Sequence, residues 1–216
     1  ESFGGMGDTD FRFEQIIIEE TCYARAGDWY NSLHSRLVGP YLTRFGSQQQ
    51  CERFLPACVR GETILAIAMT EPDAGSDLAG MRTTAVEEGD TVVVNGSKTF
   101  ISNGINCDLL VIAAKDPAVE NKYEAMSLYV IEDGTPGFTR GRKLDKMGWH
   151  SQDTAELFFN DVKVPKANVL GEPGKGFYYL MEGLAEERLI GAAGYIAAAQ
   201  LSWDLTADYV KERKAF

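Results

Sequence analysis

The sequence is poor in the residues from which several common kinds of site are built. It has two histidines and four cysteines, and none of the cysteines shows CxxC spacing. Neither a zinc site nor a disulfide framework is therefore indicated, and reduced thiols in an intracellular compartment are the simpler interpretation. A catalytic triad built on histidine also has little material to work with.

Long apolar runs and positive charge are scarce as well. No stretch approaches the roughly 18 apolar residues of a membrane span, and no basic-then-apolar leader opens the chain. A net charge of −11 argues against a general binder of nucleic acids or anionic membranes. The composition is typical of a soluble globular protein, and 216 residues allow one or two domains.

Three zones follow one another along the chain and predict an α+β multidomain fold. Residues 1–62 form an N-terminal helical segment, with helices expected in FEQIIIEETCYARA and in SQQQCERFLPACVRG, which starts on a Ser cap and ends on a Gly. Residues 63–170 contain about seven β-branched or aromatic runs, which predict a central antiparallel sandwich or barrel. Residues 171–216 predict one helix of about 38 residues, the start of a C-terminal helical bundle.

One carboxylate of this last helix falls on its apolar face. At about 100° per residue, the face of Glu187 also carries Leu180, Gly191, Gly194 and Ala198. Burial disfavours the charged form of an acid and makes it a better proton acceptor, so Glu187 is a candidate general base. The alternative is a structural ion pair, for instance with Arg188. Glu182 and Glu186 lie well round the helix and are interpreted as exposed acids.

Two segments at predicted strand ends suit a flat polar ligand. In AMTEPDAGSD, which begins at Ala68, a proline and a glycine leave backbone N–H groups free to meet such a ligand beside short polar side chains. In KTFISNG, an aromatic residue lies at the end of a strand. Taken alone, AMTEPDAGSD favours an ordinary strand-to-turn link, and the strand end in KTFISNG could equally be half-buried core.

The order of helices, β-domain and long helix, together with these motifs, resembles the acyl-CoA dehydrogenase family over essentially the whole chain. AMTEPDAGSD is similar to the central-domain signature of that family, and SKTFISNG is similar to its second flavin segment. Further similar segments are KLDKMGWHSQDTAELFFNDVKVP, GKGFYYLMEGL and YVKERKAF. LAEERL, around Glu187, matches the branch whose catalytic base lies on this helix, which includes isovaleryl-CoA and long-chain enzymes.

The resemblance implies FAD-dependent α,β-dehydrogenation of an acyl-CoA thioester, with Glu187 taking the α-proton and FAD accepting the β-hydrogen as hydride. It implies contacts with noncovalent FAD from Ala68, Met69, Thr70, Gly75, Ser76, Phe100, Ile101, Ser102 and Arg213. It also implies substrate contacts from Ser76, Arg142, Tyr178 and Arg188. Many relatives have tryptophan where Phe100 stands, and this departure keeps an aromatic wall.

Three of these side chains have alternative roles that need no ligand. The phenol of Tyr178 could pack in the core, Arg142 could be one charge of a solvated basic run, and Arg213 is favourable at a helix C-terminus without any diphosphate. In the family, the arginine that matches Arg213 reaches a flavin bound largely by a neighbouring subunit. The resemblance therefore also implies a homo-oligomer, a dimer or a tetramer.

The same resemblance predicts the setting of the reaction. It implies a medium-chain or long-chain substrate, a trans-2-enoyl-CoA product and electron-transferring flavoprotein as the electron acceptor, in the bacterial cytoplasm or the mitochondrial matrix. The chain opens inside the expected N-terminal domain and stops before the remaining helices of the bundle, so we expect a portion of a larger enzyme. An acyl-CoA oxidase of the same fold and a non-catalytic structural relative are the alternatives.

Overall fold

The computed structural model of the chain describes residues 2–7, 10–27 and 29–215. The helices are α1 (Phe11–Tyr23), a π-helical turn (Leu33–Val38) that continues into α2 (Gly39–Phe45), α3 (Gln48–Val59) and α4 (Gly176–Glu212). The strands are β1 (Leu65–Ala68), β2 (Thr84–Glu88), β3 (Thr91–Ser102), β4 (Leu109–Lys115), β5 (Met126–Glu132), β6 (Phe138–Lys143), β7 (Thr154–Pro165) and β8 (Val169–Leu170). Short 3₁₀ turns lie at Leu78–Gly80 and Lys166–Asn168.

Local sequence signals fix the ends of the helices. The Asp10 side chain accepts a hydrogen bond from the backbone N–H of Arg12 at the start of α1. Ser47 and Gln50 form a reciprocal capping box at the start of α3, and Gly61, with φ +70°, follows its end. The predictions of α1, α3 and the long helix α4 are confirmed. The π-helical turn and α2 are not predicted by the sequence.

The β-domain is one sheet with the strand order β6-β7-β3-β2-β4-β5-β8, and β1 is also paired with β4. Most neighbours are antiparallel, as predicted. However, β1 runs parallel to β4, and β2 meets β4 in parallel at one pair of residues, so the sheet is mixed rather than purely antiparallel. Two of the predicted runs, TVVVNG and KTFIS, join as the single strand β3, while β6 and β8 are additional strands.

Alternate residues of β4 and β5 face two separate cores, which explains why both strands are apolar along their length. On one face, Val111 and Leu128 join the core shared with the helices, which includes Leu180 of α4. On the other face, Leu110 and Ile112 join the core inside the β-domain. The β-domain is therefore anchored directly to the helical layer.

Helix α4 packs against the N-terminal helices through polar contacts as well as apolar ones. The Tyr23 hydroxyl donates to Asp204 at 2.7 Å. Arg36 and Arg44 lie 3.0 and 2.9 Å from the carboxylate oxygens of Glu186, whose side chain is only 22% exposed. The expectation that Glu186 is an ordinary exposed acid is therefore wrong, because the π-helical turn and α2 cover this side of α4.

Within the described ranges, none of the helices combines the length and the apolarity needed to cross a membrane.

Candidate active site

Glu187 is half-buried on α4, and its Oε1 atom is buried without a hydrogen-bond partner. The neighbouring acids Glu182 and Glu186 lie near arginines, but Glu187 has no ion pair among the residues that the structure describes. Burial raises the pKa of Glu187 above its ordinary value, and the charge of Arg188 opposes this shift. The interpretation of Glu187 as a structural ion-pair acid is thus unsupported.

A half-buried tyrosine, Tyr30, and a buried tyrosine, Tyr41, lie near this carboxylate. Burial raises the pKa of Tyr30 and of Tyr41, and the charge of Glu187 raises both further. The Tyr41 hydroxyl is itself buried without a hydrogen-bond partner in the described part of the chain. It lies against Gly183, one helical turn before Glu187, so closely that a Cβ atom added to the glycine would be 2.1 Å from it. Glu187 therefore lies close enough to both tyrosines for its charge to affect them.

A cavity of about 480 Å³ lies between α1, α4 and the end of β3. Its walls include Ser102 and the rings of Tyr30 and Trp149, whose centroids are 4.9 Å apart. From α4 it is lined by Ile190, Gly191, Gly194, Tyr195 and Ala198. The small residues on the face of Glu187 thus leave room for a ligand.

Glu187 is not itself among the residues that line this cavity. Tyr30 lines it and lies within the electrostatic influence of the Glu187 carboxylate. Glu187 is therefore next to this cavity, through Tyr30, rather than part of its wall.

The two segments predicted to contact a flat ligand lie side by side at one end of the sheet. The backbone N–H of Thr99 donates to the carbonyl oxygen of Thr70 at 2.9 Å. Met69 and Thr70 are half-buried, whereas Gly75 and Ser76 are exposed. Phe100 has φ +58° and is 67% exposed as a residue, so its ring stands away from the core. An outward aromatic ring beside short polar groups fits a flat heteroaromatic ring such as flavin.

The side chains of Ala68 and Ile101 are buried in the core of the β-domain. Any ligand contact at these two positions must therefore come from the backbone.

Three other candidate residues lie on the surface. Tyr178, in the first turn of α4, is exposed and has the Lys175 ammonium 5.6 Å from its ring centroid. Arg142 is exposed on β6, with its Nε 3.6 Å from a carboxylate oxygen of Glu156. Arg188 is exposed on α4.

Arg213 follows the last residue of α4. At 1.5 Å per residue it is about 39 Å along the helix from Glu187. The two side chains therefore belong to different regions of one chain.

Four residues of this region were not predicted from the sequence. They are Tyr30 and Tyr41 beside Glu187, and the buried pair Glu71 and Lys98 that joins the two strand-end segments. Tyr30 and Tyr41 lie more than 130 residues before Glu187 in the sequence, and nothing at either position gives a sequence signal for proximity to α4. A lysine within a β-branched run is a weak signal, because an edge strand would also carry one.

Three family models together match most of the chain. They are the acyl-CoA dehydrogenase N-terminal domain over residues 1–62, the middle domain over residues 66–162 and the C-terminal domain over residues 174–216. The chain belongs to the acyl-CoA dehydrogenase family. This membership confirms the resemblance and the overall fold class predicted from the sequence.

Similar acyl-CoA dehydrogenases are known in several organisms. The mitochondrial long-chain specific acyl-CoA dehydrogenase of Mus musculus is 46% identical, with 100% of this chain and 50% of the relative covered. The mitochondrial isovaleryl-CoA dehydrogenase of Pongo abelii is 42% identical, with 99% and 51% covered. The crystal structure of an acyl-CoA dehydrogenase from Geobacillus kaustophilus is 52% identical with a TM-score of 0.95, and 100% of this chain and 57% of that chain are covered. The chain spans about half the length of the curated relatives it matches.

Proposed function

We propose that the full-length protein is an FAD-dependent acyl-CoA dehydrogenase in which Glu187 removes the α-proton of an acyl-CoA thioester. The observation that carries this proposal is the buried carboxylate oxygen of Glu187, which has no partner in the described structure and lies near a ligand-sized cavity. A carboxylate that is neither neutralised by a cation nor satisfied by donors accepts a proton more readily. Membership of the family supplies the class of reaction.

The strand-end segments would hold the flavin ring of noncovalent FAD. From one segment, contacts with the ring or its ribityl chain would come from Met69, Thr70, Gly75 and Ser76. Ala68 would contribute only backbone contacts. Phe100 would supply an aromatic wall, with the Ile101 backbone and Ser102 beside it. Bound FAD supplies the acceptor for the hydride that leaves the β-carbon of the substrate.

Arg213 would contact the diphosphate of an FAD molecule. A guanidinium binds such oxygens in a bidentate manner. Because Arg213 lies about 39 Å along α4 from Glu187, we assign it to the FAD of a neighbouring subunit in a homo-oligomer.

The cavity beside α4 would take the acyl chain. Its volume of about 480 Å³ and its mostly apolar walls suit a medium or long alkyl chain. The CoA portion of the substrate would lie near Ser76, Arg142, Tyr178 and Arg188. The exposed cations Arg142 and Arg188 would bind its phosphates.

The surroundings of Glu187 favour proton transfer in one direction. Its carboxylate is destabilised by burial, so the neutral acid formed on taking the α-proton is the form that this site prefers. Tyr30 and Trp149, which line the cavity, would exclude water from the transferred proton.

We further propose that electrons pass to electron-transferring flavoprotein and that the protein acts in the bacterial cytoplasm or the mitochondrial matrix. We also propose that the chain contributes to three domains, with residues 1–62, 63–170 and 171–216.

Anaerobic titration of the full-length protein with a panel of acyl-CoAs tests this function. We expect a yellow protein whose flavin absorbance bleaches with medium-chain or long-chain acyl-CoAs, reoxidises slowly in air, and releases its flavin on denaturation and filtration. Rapid reoxidation by oxygen would indicate an acyl-CoA oxidase. A protein that binds no flavin, or whose flavin no acyl-CoA bleaches, would indicate a structural relative.

A further inference from the structure

A lysine lies fully buried at the junction of the two strand-end segments. Lys98 of β3 is 1% exposed, and its Nζ is 2.8 Å from Oε1 of Glu71 and 3.0 Å from the carbonyl oxygen of Met69. Removing a lysine from water is costly, so such a group persists only with close partners. Burial lowers the pKa of Lys98 to about 8, although the Glu71 carboxylate opposes this shift.

Its partner Glu71 is fully engaged by surrounding donors. Besides Lys98, the carboxylate accepts hydrogen bonds from the backbone N–H groups of Arg82 at 2.6 Å and Thr83 at 3.0 Å. Burial alone would raise the pKa of Glu71, but Lys98 and these donors hold it below its ordinary value. The pair is therefore charged and rigidly held.

The ion pair connects the two segments that we assign to the flavin. Lys98 reaches the carbonyl oxygen of Met69 and the side chain of Glu71, while the next residue, Thr99, bonds to Thr70. Three contacts thus join residues 69–71 to residues 98–99. Thr70, which we assign to the flavin, is part of this junction, and Phe100 comes directly after Thr99 in the sequence.

The same junction coincides with an irregularity in β3. Lys98 is paired with Leu157 of β7, but Ile101 is paired with Ala155, so β3 holds one extra residue between these two pairs. Phe100 lies in this bulge at φ +58°, a conformation that costs free energy in a residue with a side chain. The contacts of Lys98 and Thr99 on one side and the resumed pairing at Ile101 on the other hold Phe100 in that conformation.

We propose that the Lys98–Glu71 ion pair is a positioning device that fixes the Met69–Thr70 segment against Phe100 and so sets where the flavin ring lies. This inference rests on the proposed binding of FAD. Neither charged group touches the reacting atoms; both act through the backbone that they hold.

The test uses the full-length protein with Lys98→Met, Glu71→Gln and the double variant Lys98→Met/Glu71→Gln. Lys98→Met alone leaves a buried carboxylate without its cation and is expected to lose stability, whereas the double variant leaves no uncompensated charge. Lys115→Met is the matched control, because the Lys115 ammonium also ties a loop to the sheet, but its hydrogen bond in the described structure goes to the Ala79 carbonyl at 3.0 Å and not to residues 69–71. FAD affinity, the visible flavin spectrum and the flavin midpoint potential are measured on the folded fraction.

We expect the double variant to bind FAD at least ~10-fold more weakly, about 1.4 kcal/mol, with an altered flavin spectrum and potential, and Lys115→Met to match the wild type. A double variant that only melts earlier, while its FAD affinity, spectrum and potential equal those of the wild type, would show that the pair merely stabilises the β-domain. If the wild type itself binds no FAD, the proposed function fails, which is a different result.

Discussion

The Tyr41 hydroxyl and the Glu187 carboxylate both have a buried oxygen without a hydrogen-bond partner in the described part of the chain. Burial raises the pKa of Tyr41, and the charge of Glu187 raises it further, so the two groups interact electrostatically. Neither is satisfied by the other in this structure. A buried polar atom without a partner costs free energy, and this cost is commonly tolerated where a ligand must be met.

Replacement of Tyr41 by phenylalanine tests whether this hydroxyl is unsatisfied. We expect Tyr41→Phe to keep or increase the free energy of unfolding, by up to about 1 kcal/mol, because a buried donor without a partner is removed. Tyr179→Phe is the control, since the Tyr179 hydroxyl accepts from the backbone N–H of Glu172 at 3.1 Å. Tyr179→Phe should lower the free energy of unfolding by about 1 kcal/mol. Denaturant titration measures the free energy of unfolding of both variants. A larger loss for Tyr41→Phe than for Tyr179→Phe would show that the Tyr41 hydroxyl has a partner.

Two glycines of α4 should respond to the same substitution with opposite signs. A Cβ atom added at Gly183 would lie 2.1 Å from the Tyr41 oxygen, so Gly183→Ala must displace a buried ring and should destabilise by roughly 1–3 kcal/mol. At Gly191 the nearest atom would be 3.9 Å away, so Gly191→Ala should stabilise α4 by up to about 1 kcal/mol. Thermal unfolding compares the two variants. Equal effects would mean that α4 does not pack against Tyr41 in this way.

The pH dependence of stability should report the burial of Glu187. Its pKa in the folded protein is raised above the ordinary value of 4.5, so the folded state prefers the neutral acid. The resulting stability is fully present below about pH 4.5 and is lost as the pH rises through the folded pKa. Glu187→Gln removes this loss.

The free energy of unfolding of Glu187→Gln minus that of the wild type should therefore increase as the pH rises from about 4.5 through the raised pKa of Glu187 in the folded protein. Denaturant titrations at several pH values measure it. A difference that stays constant, or falls, with pH would show that Glu187 is not destabilised by burial.

The helices with clear local signals could be predicted from the sequence. The Ser47 cap and the following glycine delimited α3, and the absence of proline after Pro173 indicated the long helix α4. The π-helical turn and α2 were missed because Gly39–Pro40 looks like a break, although proline is tolerated in a first helical turn. The charges of FTRGRK hid β6, and the parallel pairing of β1 with β4 depends on contacts more than 40 residues apart.

The candidate site was predictable where a single side chain broke a pattern. Glu187 broke the apolar face of α4, and this required only helical periodicity. Glu186 was misinterpreted because its environment is decided by Arg36 and Arg44 on distant helical segments. The burial of Lys98 likewise depends on Glu71, which lies on another segment. Periodicity describes one element, whereas these environments come from the packing of several elements.

Stopped-flow reduction of the flavin in Glu187→Gln tests the central claim most directly. The substitution keeps the size of the side chain but removes its basic oxygen. With saturating acyl-CoA and no oxygen, bleaching of the full-length variant should therefore slow by at least ~100-fold while FAD and acyl-CoA still bind. Glu182→Gln, five residues earlier on the same helix and 59% exposed, is the matched control and should bleach at close to the wild-type rate. Near-normal bleaching in Glu187→Gln would contradict the account and place the base elsewhere in the full-length protein.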